Sequence, residues 1–248
     1  MQSASAPASS HRLNDPDADA DSTLVRHGDN SQETYFNFWL GTRRVAARGK
    51  PCNHHTNVIF LRVLPSTLSR LVHCLVRIFP ASWRERLEAW SPEWFLPNQI
   101  IMKREKPGWQ DEFDNELDIY GTLAPLGGRV VPKLYGQAEY PGTDGVRRRA
   151  LIMSDIGGIP LGEAEVGSLS LDRVEEMMKD AFQALADAGV GHGDPKLDNM
   201  HVVGDKIMLI DFDTSYRIED AQPELWVLGA VSHALRMYKS CHQRNQPR

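Results

Sequence analysis

The chain has 248 residues with 41% hydrophobic content, enough to bury a sizeable core and consistent with one globular domain plus a tail. Its 28 Lys and Arg against 33 Asp and Glu give a net charge of −5, which leaves no basic excess for binding nucleic acid. Uncharged apolar runs stay short of the roughly 20 residues needed to cross a bilayer, so no transmembrane segment is expected.

Residues 1–30 are rich in Ser, Ala and Asp with almost no large apolar groups, and they read as disordered. They contain no hydrophobic h-region, so no secretory signal is expected. Three widely spaced cysteines, Cys52, Cys74 and Cys241, suit a reducing cytoplasm better than a disulfide framework. Cys52 with His54 and His55 is a weak metal candidate, because no second ligand pair accompanies it. From Asn57 to Trp94 the chain carries Leu68, Leu71, Leu75 and Phe79 at helical spacing, flanked by Arg70 and Arg77 and followed by Trp83, Trp90 and Trp94. Two readings fit this segment: a helix packed on the rest of the fold, or a helix lying on a membrane surface.

Asn98–Lys103 (NQIIMK) reads as a short strand ending in a lysine. Pro107-Gly108 breaks the chain before a helix expected over Asp111–Leu126, with Phe113, Leu117, Tyr120 and Ala124 forming an apolar stripe. Glu116 falls on that same side, where a carboxylate requires a cation, and Lys103 is the candidate; Glu112 is the alternative partner. Val130–Tyr135 reads as an edge strand containing Pro132. Arg147-Arg148-Arg149 reads as a solvated turn, and Ala150–Met153 as a buried strand running into Ser154-Asp155-Ile156-Gly157-Gly158. Leu171–Ala188 is an amphipathic helix, with Ser170 as N-cap and Gly189 closing its C-terminus.

The most informative stretch is GHGDPKLDNMHVVGDKIMLIDFDTSY, residues 191–216. Asp194 follows His192 by two residues, Lys196 and Asn199 follow Asp194 by two and five, and Asp211 lies twelve beyond Asn199. Between them, Met200–Val203 and Lys206–Ile210 read as strands joined by the Gly204-Asp205 turn, a hairpin that folds Asp211 back beside Asn199.

This HxDxKxxN spacing followed by a strand and Asp-Phe resembles the catalytic and metal-binding loops of the protein-kinase-like superfamily, and among its members the short kinase-like proteins of filamentous fungi. The resemblance covers about residues 94–236. It implies an α+β, two-lobed protein-kinase-like fold with a truncated C-lobe: a tail over 1–30 and a domain over 31–248, the N-lobe about 31–153 and the C-lobe about 154–248. It further implies an ATP- and Mg²⁺-dependent phosphotransferase with a hydroxyl acceptor, which is either a small molecule or one specific protein, or else a pseudokinase that scaffolds. Asp194 and Lys196 take the catalytic roles, and Asn199 and Asp211 hold Mg²⁺. Lys103 with Glu116, and the backbone of Met153, Ser154 and Ile156, receive the nucleotide.

The sequence departs from the family in four places. No glycine-rich phosphate loop precedes Lys103, Gly193 stands where protein kinases have arginine, and Asp213 follows Asp-Phe in place of glycine. Glu224 begins a segment resembling DxWxxG, and only ten residues separate it from Asp213, too few for a peptide-docking segment.

Overall fold

The computed structural model describes residues 33–52, 55–142, 144–219 and 223–243; the expected tail and His54 lie outside the described residues. Three strands come first, β1 (Thr34–Leu40), β2 (Arg43–Pro51) and β3 (Val58–Val63). Their side chains alternate, with Phe38, Leu40, Val45, Ala47, Ile59 and Leu61 buried and Trp39, Arg44, Arg48 and Phe60 turned outward. After β3 the chain leaves the sheet for two helices, α1 (Thr67–Val76) and α2 (Ala81–Trp90), and returns as β4 (Gln99–Arg104). Then come α3 (Gln110–Thr122), β5 (Leu134–Pro141) and β6 (Arg147–Ser154).

These six strands form a closed barrel in the order β1-β2-β3-β4-β6-β5, with every pairing antiparallel. A closed six-stranded antiparallel barrel with five α-helices among the described residues is not a two-lobed protein-kinase-like fold, and the expected fold class is corrected accordingly. The reason lies in β1. It pairs with β2 along its whole length, and its end pairs with β5 through Trp39↔Glu139 and Leu40↔Ala138, so the sheet keeps no free edge.

The rest of the chain packs against one side of the barrel. It comprises β7 (Ile159–Pro160), α4 (Leu171–Asp187), β8 (Val190–Gly191), the hairpin β9 (Met200–Val203) and β10 (Lys206–Leu209), β11 (Tyr216–Arg217) and α5 (Pro223–Gln243). There are two apolar cores, and β6 serves both. Ala150 and Ile152 point into the barrel, while Leu151 and Met153 join a second core with Phe113, Ile119 and Tyr120 of α3, the inner face of α4, and Val227, Val231 and Leu235 of α5. This is why 150–153 reads as an unbroken apolar run: both faces of the strand are covered. On α4, Val174, Met178, Phe182 and Leu185 are fully buried, each contributing about 1.5–3 kcal/mol.

Other expectations shift at their ends. The helix carrying Glu116 stops at Thr122, and Pro125 sits in a separate 3-10 turn over Ala124–Leu126. Val131 is buried but makes only an isolated bridge to Gly127, so the strand starts at Leu134, beyond Pro132. The three arginines 147–149 lie in β6, not in a turn, and each is paired with a carboxylate. The helix expected to pack on the fold, α1, buries only Ser69. Among the described residues no helix is long and apolar enough to cross a membrane.

Barrel closure through β1 can be measured. Leu40 is 2% exposed, so Leu40→Ala should lower the free energy of unfolding by about 2–5 kcal/mol in urea denaturation. Trp39→Ala, which truncates an outward-facing neighbour, should cost clearly less; equal small losses would mean that the interior of β1 is not part of the core.

Candidate active site

Lys103 leaves β4 near the strand's end, and burial leaves its side chain only 14% exposed. An ammonium group in that position needs anions around it. Glu116, one face of α3, meets it with both carboxylate oxygens at 2.8 and 2.7 Å, and Asp211 meets it at 2.5 Å. Glu112 takes no part: the expected pairing of Lys103 with Glu116 holds, and a second acid joins it from 108 residues away. Burial alone would lower the Lys103 pKa, but the two carboxylates outweigh it and hold it above the ordinary lysine value. Burial lifts Glu116 above the usual carboxylate range, with Lys103 opposing. For Asp211 burial also works toward the neutral acid, but Lys103, helped by Lys106 and Lys196, wins and lowers its pKa.

Asp211 also has a positive φ of 67°, the one non-glycine residue with this conformation among those described. Such a backbone persists only where its surroundings over-determine it. Here they do. Ile210 donates its N–H to the Asn199 carbonyl at 3.0 Å, and Phe212 sits between the rings of Tyr120 and His192 at 5.3 and 5.0 Å. Phe212 N–H also points at Glu116 Oε1, at 3.4 Å.

The hairpin forms as expected, with Lys206↔Val203 through Leu209↔Met200 in register and Gly204 in the left-handed region. It returns the chain to the 192–199 loop, whose order comes from three side chains. His192 donates from Nε2 to the Ile210 carbonyl at 3.0 Å and accepts the Asp194 N–H on Nδ1 at 3.2 Å, an arrangement that fits the neutral imidazole. Asn199, 4% exposed, donates Nδ2 to the Asp194 carbonyl at 2.9 Å and to Asp194 Oδ2 at 3.2 Å. Lys196 Nζ reaches the same Oδ2 at 2.8 Å. That bond, then Coulombic attraction from Asp194 and Asp211, raises the Lys196 pKa despite partial burial.

Gly193 has a steric explanation. A Cβ there would lie 2.0 Å from the Thr214 carbonyl oxygen, so the backbones of the two loops touch only if residue 193 has no side chain. Gly191 is similar, with the Tyr216 ring 2.6 Å from the same imagined atom. The pKa of Asp213, two residues after Asp211, is raised by burial and then by repulsion from Asp211.

Of the three residues assigned to the nucleotide through their backbone, two lie inside the sheet. Met153 is paired on both sides, with Ile101 and Leu134, and the Ser154 N–H bonds the Lys133 carbonyl at 2.9 Å. Ser154 lines a depression of about 860 Å³ with Arg62, Tyr135 and Asp155, at the end of β4 away from Lys103. Ile156 lies outside the ladder, just before Gly157 and Gly158, both in left-handed conformation. Glu224 is exposed and does not bond the 192–199 loop.

Two contributors carried no local signal. Asn115 donates Nδ2 to the carbonyls of Asp213 and Ser215, pinning the chain after Asp211 to α3. Asn57 and Val58, where the chain enters β3, sit beside Lys103, since Val58 pairs with Lys103 and Arg104 N–H bonds the Asn57 carbonyl. The sequence leading into them, Cys52 to Asn57, contains no glycine. Among the described residues no group of three or more His, Cys, Asp or Glu is arranged to hold a metal, and Cys52 is buried apart from any such group.

No protein-family model matches the chain, and no curated protein matches it either.

Burial holds the His192 pKa below its ordinary value of 6.5, with the Ile210 hydrogen bond opposing in part. The unfolded chain therefore takes up the proton first as pH falls, so the stabilisation is present above about pH 6.5 and lost below it. The melting temperature should drop between about pH 7 and about pH 5, and His192→Gln, which keeps a donor for the Ile210 carbonyl, should flatten that drop. Superimposable pH profiles would show that His192 does not enter the folded loop uncharged. His201, also lowered by burial, accounts for the dependence that remains in the variant.

Proposed function

We propose that the protein is an ATP- and Mg²⁺-dependent phosphotransferase that moves the γ-phosphoryl group to a hydroxyl acceptor. The observation that carries this reading is the meeting of Lys103, Glu116 and Asp211 beside a loop in which Asn199 and Lys196 both hold Asp194. The resemblance to protein-kinase-like loops is retained for this constellation alone, because the barrel rules out the fold that went with it.

The residues present fit the implied nucleotide and cation. Asn199 uses Nδ2 on Asp194, which leaves Oδ1 as its acceptor, and Asp211 uses Oδ1 on Lys103 while its side chain remains 33% exposed. Asn199 and Asp211 would hold Mg²⁺, a hard cation that takes oxygen ligands, and Lys103 would face the nucleotide phosphates. When bound, the cation neutralises charge on the phosphates. Asp194, half-exposed, orients the acceptor hydroxyl and takes its proton as the acceptor oxygen bonds to phosphorus and the bond to the ADP oxygen breaks. Lys196 supplies positive charge next to that carboxylate.

The chain after Asp213 supports a small acceptor or one docked partner. Tyr216 and Arg217 pair with Gly191 and Val190, and the Ile218 N–H bonds the Gly189 carbonyl, so this segment is bound to the body of the fold and offers little extended backbone to a peptide. The free cysteines suit a cytoplasmic setting. A second reading, a nucleotide-binding scaffold without turnover, is favoured by the absence of glycine from the sequence Cys52 to Asn57 that leads into Val58 beside Lys103.

ATP should raise the melting temperature only with Mg²⁺ present, by mass action on the folded state. Asp211→Asn should remove the Mg²⁺-dependent part, and no shift for the wild type at millimolar nucleotide would sink the nucleotide-binding claim. Turnover separates the two readings. Asp194→Ala should leave Mg·ATP affinity within a few-fold and reduce ATP hydrolysis by about 100-fold or more. Wild-type protein no faster than this variant would leave the scaffold.

A further inference from the structure

The two helices inserted between β3 and β4 are barely buried. α1 buries only Ser69 and α2 buries no residue. On α1, Leu68, Leu71 and Leu75 share one face and are each more than half exposed, while Val72 and Val76 turn partly inward beside Ser69. Past its end, Ile78 is 79% exposed, and Phe79 stacks on Trp83 at 6.5 Å. Trp90, ending α2, is 86% exposed. Exposed apolar and aromatic side chains therefore run from one helix through the turn to the other, the kind of clustered surface that marks an interaction site.

Charge decides what covers it. Residues 67–90 contain four arginines, Arg70, Arg77, Arg84 and Arg86, and two glutamates, Glu85 and Glu88, in a chain of net charge −5. None of the four arginines forms an ion pair among the described residues, and three of them, Arg70, Arg77 and Arg86, are exposed and free to meet an outside anion. A second copy of the same surface would bring like charges together. An anionic bilayer answers both properties, with apolar side chains entering the boundary between headgroups and acyl chains, tryptophans at that depth, and arginines against the phosphates. α1 has ten residues, about 15 Å, so it can lie on a membrane and cannot cross one.

We infer that α1, α2 and the turn joining them form a docking surface for membranes rich in anionic phospholipid. The inference is independent of the activity proposed above, since no residue of that site belongs to this surface.

Co-sedimentation of the full chain with phosphatidylcholine vesicles, with and without phosphatidylserine, tests it. The protein should sediment with the serine-containing vesicles, weakly with the others, and less as salt rises. Leu71→Glu with Leu75→Glu should reduce binding by about tenfold or more, and Arg70→Glu with Arg77→Glu should remove the preference for phosphatidylserine. All four side chains are exposed, so melting temperatures should stay near the wild type; if the leucine variant melts early, Trp90→Ala takes its place. Wild-type protein that sediments with neither vesicle overturns the inference, as does binding that survives the leucine variant or Trp90→Ala. Sedimentation velocity covers the other occupant: a dimer lost in the leucine variant, without vesicle binding, would assign the surface to a second copy.

Discussion

The buried Lys103 ammonium is the constraint on which the rest of the site depends. Taking a charge that far out of water costs several kcal/mol, and only close anions with good geometry offset it. Glu116 is 2% exposed and cannot stand alone either, so α3 must lie where its carboxylate meets the barrel wall. Asp211 then brings the segment after β10 to the same cation, although that requires a left-handed backbone at a residue other than glycine. Arg149 reinforces the arrangement by bonding Glu105 after β4 and Asp114 on α3 at once. One ionic centre therefore ties together a strand, a helix and a loop that share no local sequence.

A second constraint is how closely backbones approach. Gly193 lets the loop carrying Asp194 touch the Thr214 carbonyl, Gly191 makes room for the Tyr216 ring, and Gly158 lies against the Val202 carbonyl. At Gly193 and Gly158 a methyl group would run into backbone and force apart two segments that hold site residues, whereas at Gly191 the exposed Tyr216 ring would have to swing aside. Within the space so defined, hydrogen bonds set direction. His192 spans from Ile210 to Asp194, and Asn199 spans from Ile210 to Asp194 by another path, so Asp194 and Asp211 are held by the same short network. Asp194 and Lys196 stay half-exposed at its outer edge, where an acceptor can reach them.

Sequence periodicity spoke clearly wherever structure follows from neighbours. The α4 helix appears with Ser170 bonding the Arg173 N–H and Gly189 in a left-handed conformation just past its end, because caps act within one turn. The β9–β10 hairpin follows from the Gly204-Asp205 turn, and α3 places Glu116 inward because helical phase is a local property. The spacing of Lys103, Glu116, Asp194, Lys196, Asn199 and Asp211 singled these residues out before any coordinates, and the structure brings Lys103, Glu116 and Asp211 together and Asp194, Lys196 and Asn199 together.

What needed the tertiary structure was everything decided by pairing at a distance. Nothing near Thr34–Leu40 announces that its last two residues will meet Glu139 and Ala138, yet that contact closes the barrel and excludes the two-lobed fold. The peptide groups of Met153 and Ser154 looked available because their strand partners, Ile101, Leu134 and Lys133, come from other segments. Val58 comes to lie beside Lys103 only through the β3–β4 register. The leucine stripe of α1 looked the same on paper whether it faced protein or solvent, because periodicity reports that a helix has an apolar side and not what lies against it. The sequence by itself determined the local elements and the residues able to do chemistry; which of them meet, and which apolar face stays bare, depended on long-range pairings that carry no local code.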